Sequence, residues 1–280
     1  MKTKNKLKLL ACQIEIPAMI TTSERDAHLA VSTAKVREAI ADSPVDIVVL
    51  PELSSIEYSR ETFDNLAELA EPLDGPSYQS WSKIAKECNV HIVYSFARRD
   101  EKSTHICIAV VDPQGELVGY YDKIHLAQYG AAMEKEYFQR GNQLFTFTVK
   151  GFKISPIICY DIRIPELCRT LTIDHGVDMI LHCAAFYRDE SFYAWHDFAI
   201  ARAIENQIFF LSLNRAGENY GNSLFCYPWM DENELPVSFP DTAEKLMKIE
   251  IDHTMVSAVR KKYTFLGDRL PTYDIPLLAR

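Results

Sequence analysis

The stretch Val45–Leu53, VDIVVLPEL, narrows the choice of fold more than any other part of the chain. Ile47–Leu50 is apolar without a break, the pattern of a strand covered on both faces. Such a strand needs a packed layer on each side of its sheet. It stops at Pro51, so Glu52 stands just past its carboxyl end, where open α/β sheets gather their chemistry. A second apolar run, Ile154–Ile158 within FKISPIICYDIRIPELCR, stops in the same way at Cys159. A helix is expected to open behind it, with Pro165 at its first turn and Glu166 next.

Strands and helices alternate along the rest of the chain. Leu7–Ile14 reads as a first strand. A helix capped by Thr22 or Ser23 follows, carrying Leu29, Val36 and Ile40 near one face and ending at Ser43-Pro44. The turn Asp74-Gly75-Pro76 leads into a helix with Trp81, Ile84, Ala85 and Cys88 at i, i+3, i+4, i+7 spacing, then a strand at Val90–Phe96. Ile106–Val111 and Glu116–Tyr121 flank Asp112-Pro113-Gln114-Gly115, which suits a type I turn and hence a hairpin. Leu144–Val149 and Phe152–Ile158 make another across Lys150-Gly151. Beyond Cys159 come a helix over Pro165–His175, a buried strand in Val177–Phe186, a helix over Ser191–Asn206, strands at Gln207–Leu213 and Leu246–Ile251, and a short helix in the tail. With no repeat or linker, residues 1–280 read as one α/β domain with mixed sheets, its core at about 7–273.

Charge and cysteine usage exclude several classes. A net charge of −9 argues against a nucleic-acid or anionic-membrane binder, since both need a basic face. No apolar stretch approaches the ~20 residues that span a bilayer, and the basic start is broken by Gln13 and Glu15 rather than reading as a signal peptide. Seven cysteines without a CxxC pair fit a reducing cytoplasm better than a disulfide framework or a zinc knuckle. His125, His182 and His196 lack metal-ligand spacing, so no metal or cofactor is expected.

Glu52, Lys123 and Cys159 therefore stand together as the candidate chemistry, each at a strand end. A carboxylate can take the thiol proton and later that of an attacking water. The thiolate can attack a carbonyl to give a thioester. An ammonium, with a backbone N–H, can hold the oxyanion, and it also favours the thiolate.

PEL at 51–53, YDKIHL at 121–126 and ICYDIRIPELCR at 158–169, in this order, resemble the three signature blocks of the nitrilase or carbon–nitrogen hydrolase superfamily. WHDFAIARAIENQIFFLSLNRAG, Trp195–Gly217, resembles the helix–strand unit that follows them, so the likeness runs from about Leu7 to Tyr273. It implies a four-layer α–β–β–α sandwich, with Cys159 as nucleophile, Glu52 as general base and Lys123 as oxyanion partner. It also implies a second glutamate before an aromatic-x-x-Gly stretch. MEKEYFQRG offers Glu134 and Glu136, and counting back from Gly141 favours Glu134, there to orient Lys123 and the substrate amide. Tyr160 should give its backbone N–H to the oxyanion. Family members commonly pair through the helices that follow the nucleophile block, so a homodimer or larger assembly is expected.

This chain departs from the family pattern at three places: Ser155-Pro156 for a glycine, which suggests an edge or a bulge, Thr104-His105 for Tyr-Asn, and a short segment at 217–233. The block Cys-Tyr-Asp-Ile-Arg with Pro-Glu resembles the Nit-like and omega-amidase group, where nitrilases have Cys-Trp-Glu and carbamoylputrescine hydrolases Cys-Trp-Asp. The expected activity is hydrolysis of a small linear amide, such as the omega-amide of a dicarboxylate or 2-oxo acid, to acid and ammonia. Arg163 or Arg215 could hold the substrate's far carboxylate. The alternatives are an N-carbamoyl amine or amino-acid hydrolase, and a catalytically silent binding protein of the same fold.

Overall fold

The computed structural model describes residues 6–278. In chain order it contains β1 (Lys6–Gln13), α1 (Thr22–Ile40), β2 (Ile47–Val49), the single-turn helices α2 (Arg60–Phe63) and α3 (Leu66–Leu69), α4 (Pro76–Cys88), and the meander β3 (His91–Arg99), β4 (Thr104–Val111) and β5 (Leu117–Asp122). Next come α5 (Glu134–Tyr137), the hairpin β6 (Phe147–Val149) and β7 (Phe152–Ile158), a 3-10 turn at Cys159–Arg163, α6 (Pro165–Ile173) and β8 (Met179–Cys183). The chain continues through α7 (Ala194–Asn206), β9 (Phe209–Leu213), β10 (Leu224–Cys226), β11 (Val237–Ser238), β12 (Lys245–Asp252) and α8 (Thr254–Lys262).

Two six-stranded mixed sheets result, in the orders β12-β1-β2-β3-β4-β5 and β11-β10-β9-β8-β7-β6. Each has a parallel centre, β1-β2-β3 in one and β7-β8-β9 in the other, with antiparallel edges. Alternation along β3 shows why the layers stack. Ile92, Tyr94 and Phe96 pack with Trp81, Ile84, Val36 and Ile40 of α4 and α1, whereas Val93 and Ala97 join a core shared with Phe152, Ile154 and Leu181 of the other sheet. Trp195, Ala199 and Ala203 of α7, with Leu167 and Leu171 of α6, cover the second sheet from outside. The expected α–β–β–α order is present. The parallel centres of both sheets end on the same site, carrying Glu52 after β2 and Cys159 after β7.

Local corrections are small. The cap of α1 is Thr21, one residue earlier than expected, because Glu24 at the third helical position completes a capping box with it: Thr21 N–H donates to the Glu24 carboxylate at 3.0 Å. Pro156 marks an edge, not a bulge. β6 pairs β7 only through Phe152–Ile154, while the register with β8 runs unbroken from Ile154 to Ile158. The proline thus lies beyond the reach of β6, and the Ser155 hydroxyl donates to the Phe145 carbonyl at 2.8 Å. β10 and β11 were not anticipated; three and two residues are too few to show a period. Among the described residues no helix is long and apolar enough to cross a membrane.

Candidate active site

Parallel pairing of β7 with β8 ends at Ile158, and Cys159 turns the chain with φ 42°, a left-handed conformation that is strained for a residue with a side chain. Asp161, fully buried, holds this turn closed. Its Oδ2 accepts from the Ile158 N–H at 3.0 Å and the Tyr121 hydroxyl at 2.7 Å; its Oδ1 accepts from the His125 N–H at 2.9 Å and lies 2.7 Å from His125 Nδ1. One carboxylate therefore fastens the YDKIHL segment to the nucleophile turn. Sequence reading passed over Asp161. The signal was a charged residue inside an apolar block, placed where an Asp can bond its own turn.

The other strand end is built in a different way. Glu52 is followed by Leu53 at φ 46°, again left-handed. The Ala185 N–H donates to Glu52 Oε2 at 2.8 Å. Beneath the turn, Nε and Nη2 of Arg215 donate to the carbonyls of Glu52, Leu53 and Ile56 at 2.8–3.1 Å. Arg215 is 1% exposed, its Nη1 has no partner, and its guanidinium carbon lies 5.8 Å from the centre of the Tyr220 ring. This corrects the expectation that Arg215 could hold a substrate carboxylate: its Nε and Nη2 are turned into the floor, on three backbone oxygens.

Lys123 lies between two carboxylates. Its Nζ donates to Glu52 Oε1 at 2.8 Å and to Glu134 Oε1 at 2.6 Å, and all three residues are 0% exposed. Glu134 also accepts from the Tyr58 hydroxyl at 2.8 Å and the Ala127 N–H at 2.9 Å. Of the two glutamates in MEKEYFQRG it is the one at the site; Glu136 pairs with Arg60 at the surface. Burial alone would lower the Lys123 pKa, but Glu134 and Glu52 together outweigh it and hold the amine well above its ordinary value. Burial, opposed by Lys123, raises that of Glu134.

The Cys159 thiol lines a cavity of about 250 Å³, together with Tyr58, Glu134, Tyr129, Phe186 and Asp189. Its pKa is pushed well up, first by burial and next by Glu52, against which Lys123 acts in the other direction. Lys123 does favour the thiolate, as expected, but burial and Glu52 outweigh it, so the balance favours the protonated thiol.

Tyr160 and Arg163 stand to one side. The Tyr160 amide belongs to the first turn of the 3-10 segment, where N–H groups have no partner inside the helix. The Arg163 guanidinium lies 5.3–5.9 Å from the ring centres of Tyr129, Tyr160, Phe186 and Phe198. Its Nε and Nη2 are buried without a hydrogen-bond partner. His105 lies elsewhere, with Nδ1 2.9 Å from the Gln139 carbonyl and Nε2 2.9 Å from the Ser103 hydroxyl, so the departure at Thr104-His105 does not enter this cavity.

Known proteins resemble the chain in sequence and in fold. The family model described as carbon-nitrogen hydrolase matches residues 9–261. The 2-oxoglutaramate amidase of Bacillus subtilis (strain 168) is 37% identical over 191 residues, which cover 66% of this chain and 71% of that protein. Omega-amidase NIT2 of Homo sapiens is 26% identical over 239 residues, covering 81% and 83%. Among solved structures, Saccharomyces cerevisiae Nit3, described as a member of branch 10 of the nitrilase superfamily, superposes with a TM-score of 0.80 at 23% identity, covering 92% of this chain and 94% of that one.

Proposed function

We propose, for a chain that belongs to the carbon–nitrogen hydrolase family, that it hydrolyses the terminal amide of a short dicarboxylic or 2-oxo acid through a thioester on Cys159. The observation that carries this reading is the buried Glu52–Lys123–Glu134 cluster opening onto a cavity lined by Cys159. Amidase names among the relatives support the substrate class.

In the proposed sequence Glu52 takes the thiol proton as Cys159 attacks the amide carbon. The oxygen becomes an oxyanion, held by Lys123 and the Tyr160 N–H. Collapse returns the proton from Glu52 to the leaving nitrogen, which departs as ammonia and leaves the thioester. Water attacks next, again losing a proton to Glu52, and a second collapse frees the acid and restores the thiol. Glu134 fixes Lys123 throughout. The raised thiol pKa supports this order: deprotonation coupled to attack suits a thiol that is neutral at rest. Arg163, with two unmet donors behind Tyr129 and Phe186, supports recognition of a carboxylate at the substrate's far end.

The reading extends to a cytoplasmic homodimer formed through α6 and α7. Tyr193, 89% exposed just ahead of α7, and Ile173 on α6 support an apolar contact there; sedimentation at micromolar concentration tests it, with a dimer expected. For the chemistry, ammonia release is measured from 2-oxoglutaramate, succinamate, propionamide, a nitrile and an N-carbamoyl amino acid. The first two are expected to lead, and Cys159→Ala to abolish release. Preference for the N-carbamoyl compound would move the substrate to another branch, and release that survives Cys159→Ala would remove the nucleophile.

A further inference from the structure

The peptide unit joining Cys159 to Tyr160 has two ends with separate fates. Its N–H is the oxyanion donor of the proposed mechanism, and its carbonyl is that of Cys159. In a trans peptide the two point in opposite directions, so whatever fixes the carbonyl also aims the N–H. The Cys159 carbonyl lies 2.9 Å from His182 Nε2. His182 Nδ1 lies 2.6 Å from Ser212 Oγ, and the Trp195 indole N–H donates to that same oxygen at 2.8 Å. Strand register places the chain: His182 on β8 is opposite Ile157 on one side and Ser212 on the other.

One direction of hydrogen bonding fits all three links. The Cys159 carbonyl can only accept, so His182 Nε2 carries the proton that faces it. In the neutral ring Nδ1 is then an acceptor and takes the Ser212 hydroxyl hydrogen, while the serine oxygen accepts from the Trp195 indole N–H. His182, Ser212 and Trp195 are all 0% exposed. Burial lowers the His182 pKa to about 4, so the ring is neutral, as this chain of bonds requires.

We propose that His182 is a positioning residue for the oxyanion hole: through Trp195 and Ser212 it locks and polarises the Cys159–Tyr160 peptide so that its N–H points at the reacting oxygen. The inference rests on the proposed role of the Tyr160 N–H. A residue at φ 42° is under strain and gains by relaxing. A hydrogen bond on the carbonyl opposes the peptide rotation that relaxation would bring. The same bond draws electron density toward the carbonyl oxygen and makes the N–H a better donor, the cooperative effect expected of hydrogen-bond chains in a dry interior. His182 faces the peptide and not the thiol, so it takes no proton from Cys159.

The test uses His182→Leu, which removes the donor at similar volume, and His182→Gln, whose amide N–H can reach the same carbonyl. Four quantities are read: kcat and KM on the best omega-amide, affinity for the corresponding aldehyde, and the rate at which iodoacetamide alkylates Cys159. The aldehyde adds to the thiol and places an oxygen in the same hole, whereas alkylation forms no oxyanion. His182→Leu should lower kcat and aldehyde affinity by a common factor of roughly 10²-fold, the scale for losing one oxyanion donor, with KM and alkylation close to wild type. His182→Gln should recover most of both. If His182→Leu does not fold, Ser212→Ala, which leaves the histidine unbraced, is read in its place with the same expectation. Wild-type kcat in the donor-less variant, parallel loss of alkylation, or no recovery in His182→Gln would overturn the inference. Those results with an active wild-type enzyme leave the functional reading standing; a wild type that releases no ammonia from any amide removes both.

Discussion

Arg215 and Arg163 both lie close to the proposed catalytic residues, one under Glu52 and the other beside Tyr160, and their surroundings differ in kind. Arg215 is spent on structure: it satisfies the carbonyls of a left-handed turn that carries the proposed base. Arg163 is surrounded by four rings and leaves two buried donors without partners. A buried donor left unpaired is destabilising by about 1–3 kcal/mol, and Arg163 keeps two of them behind Tyr129 and Phe186 of the cavity lining. The contrast separates a fixed floor, where every change should act on kcat or stability, from a side wall, where changes should act on substrate choice.

The strongest way to break the floor is Glu52→Gln. The amide keeps the shape but cannot take the thiol proton, and burial with Glu52 holds the thiol pKa well up. Turnover should fall by roughly 10²- to 10⁴-fold, the range for a positioned base, with substrate binding retained by calorimetry. Wild-type turnover in this variant would end the role of Glu52. The same raised pKa bears on thiol labelling. Cys88 is the one cysteine not buried, so it, and not Cys159, should be alkylated first when mass mapping follows brief treatment.

Next in size is Arg215→Met. It removes the donors from three carbonyls and should lower stability by about 3 kcal/mol or more, seen as a shifted denaturation midpoint. kcat should fall with it as the Glu52 turn relaxes. The ratio of kcat/KM for succinamate to that for propionamide should not move. A changed ratio would mean that Arg215 reaches the substrate after all.

A third measurement sharpens the floor by its protons. Burial holds the His182 pKa at about 4 against an ordinary 6.5. Above pH 6.5 neither the folded nor the unfolded state carries this proton, and the site contributes no pH dependence. Between pH 6.5 and about 4 the unfolded chain binds it while the native protein does not, so stability falls as pH falls. The loss is at most about 3 kcal/mol and is complete below the folded value. Denaturation midpoints taken through that window should slope less in His182→Gln than in wild type. Equal slopes would place the acid sensitivity elsewhere, for which buried His28 and half-buried His91, both also lowered first by burial, are the next candidates.

Much of the floor was legible because it is written where apolar runs stop. Glu52 and Cys159 follow unbroken strands, and Lys123 ends a hairpin strand; each position can be read from one local segment. What holds them was not legible. Asp161 reaches His125, His182 reaches the Cys159 carbonyl and Arg215 reaches Leu53 across the interior, from segments far apart in sequence. The two arginines show the limit best. Both follow a buried strand end, both suit a carboxylate, and only the direction of each fork distinguishes a floor residue from a wall residue. The thiol shows a related limit. Local reading paired Lys123 with Cys159, whereas burial and Glu52, both set by the fold, act against that pull.

The smallest expected effect is also the most specific to the wall. Arg163→Lys keeps a positive charge but loses the planar fork that can meet two carboxylate oxygens at once, and a compact ammonium fits less well among Tyr129, Tyr160, Phe186 and Phe198. If the fork binds the far carboxylate of an omega-amide, kcat/KM for 2-oxoglutaramate and succinamate should drop by roughly 10- to 100-fold, the worth of a charged hydrogen bond at 1.5–3 kcal/mol. Propionamide, which has no far carboxylate, should be hydrolysed as before, so the preference ratio that Arg215→Met leaves alone should collapse here. The measurement is that ratio, taken on the same preparation, so that any loss of folded protein cancels. An equal fall for all three amides would mean that Arg163 supports the 3-10 turn behind Cys159. The carboxylate partner would then have to be sought at the cavity mouth, where Arg60 is at present tied to Glu136 and Tyr137.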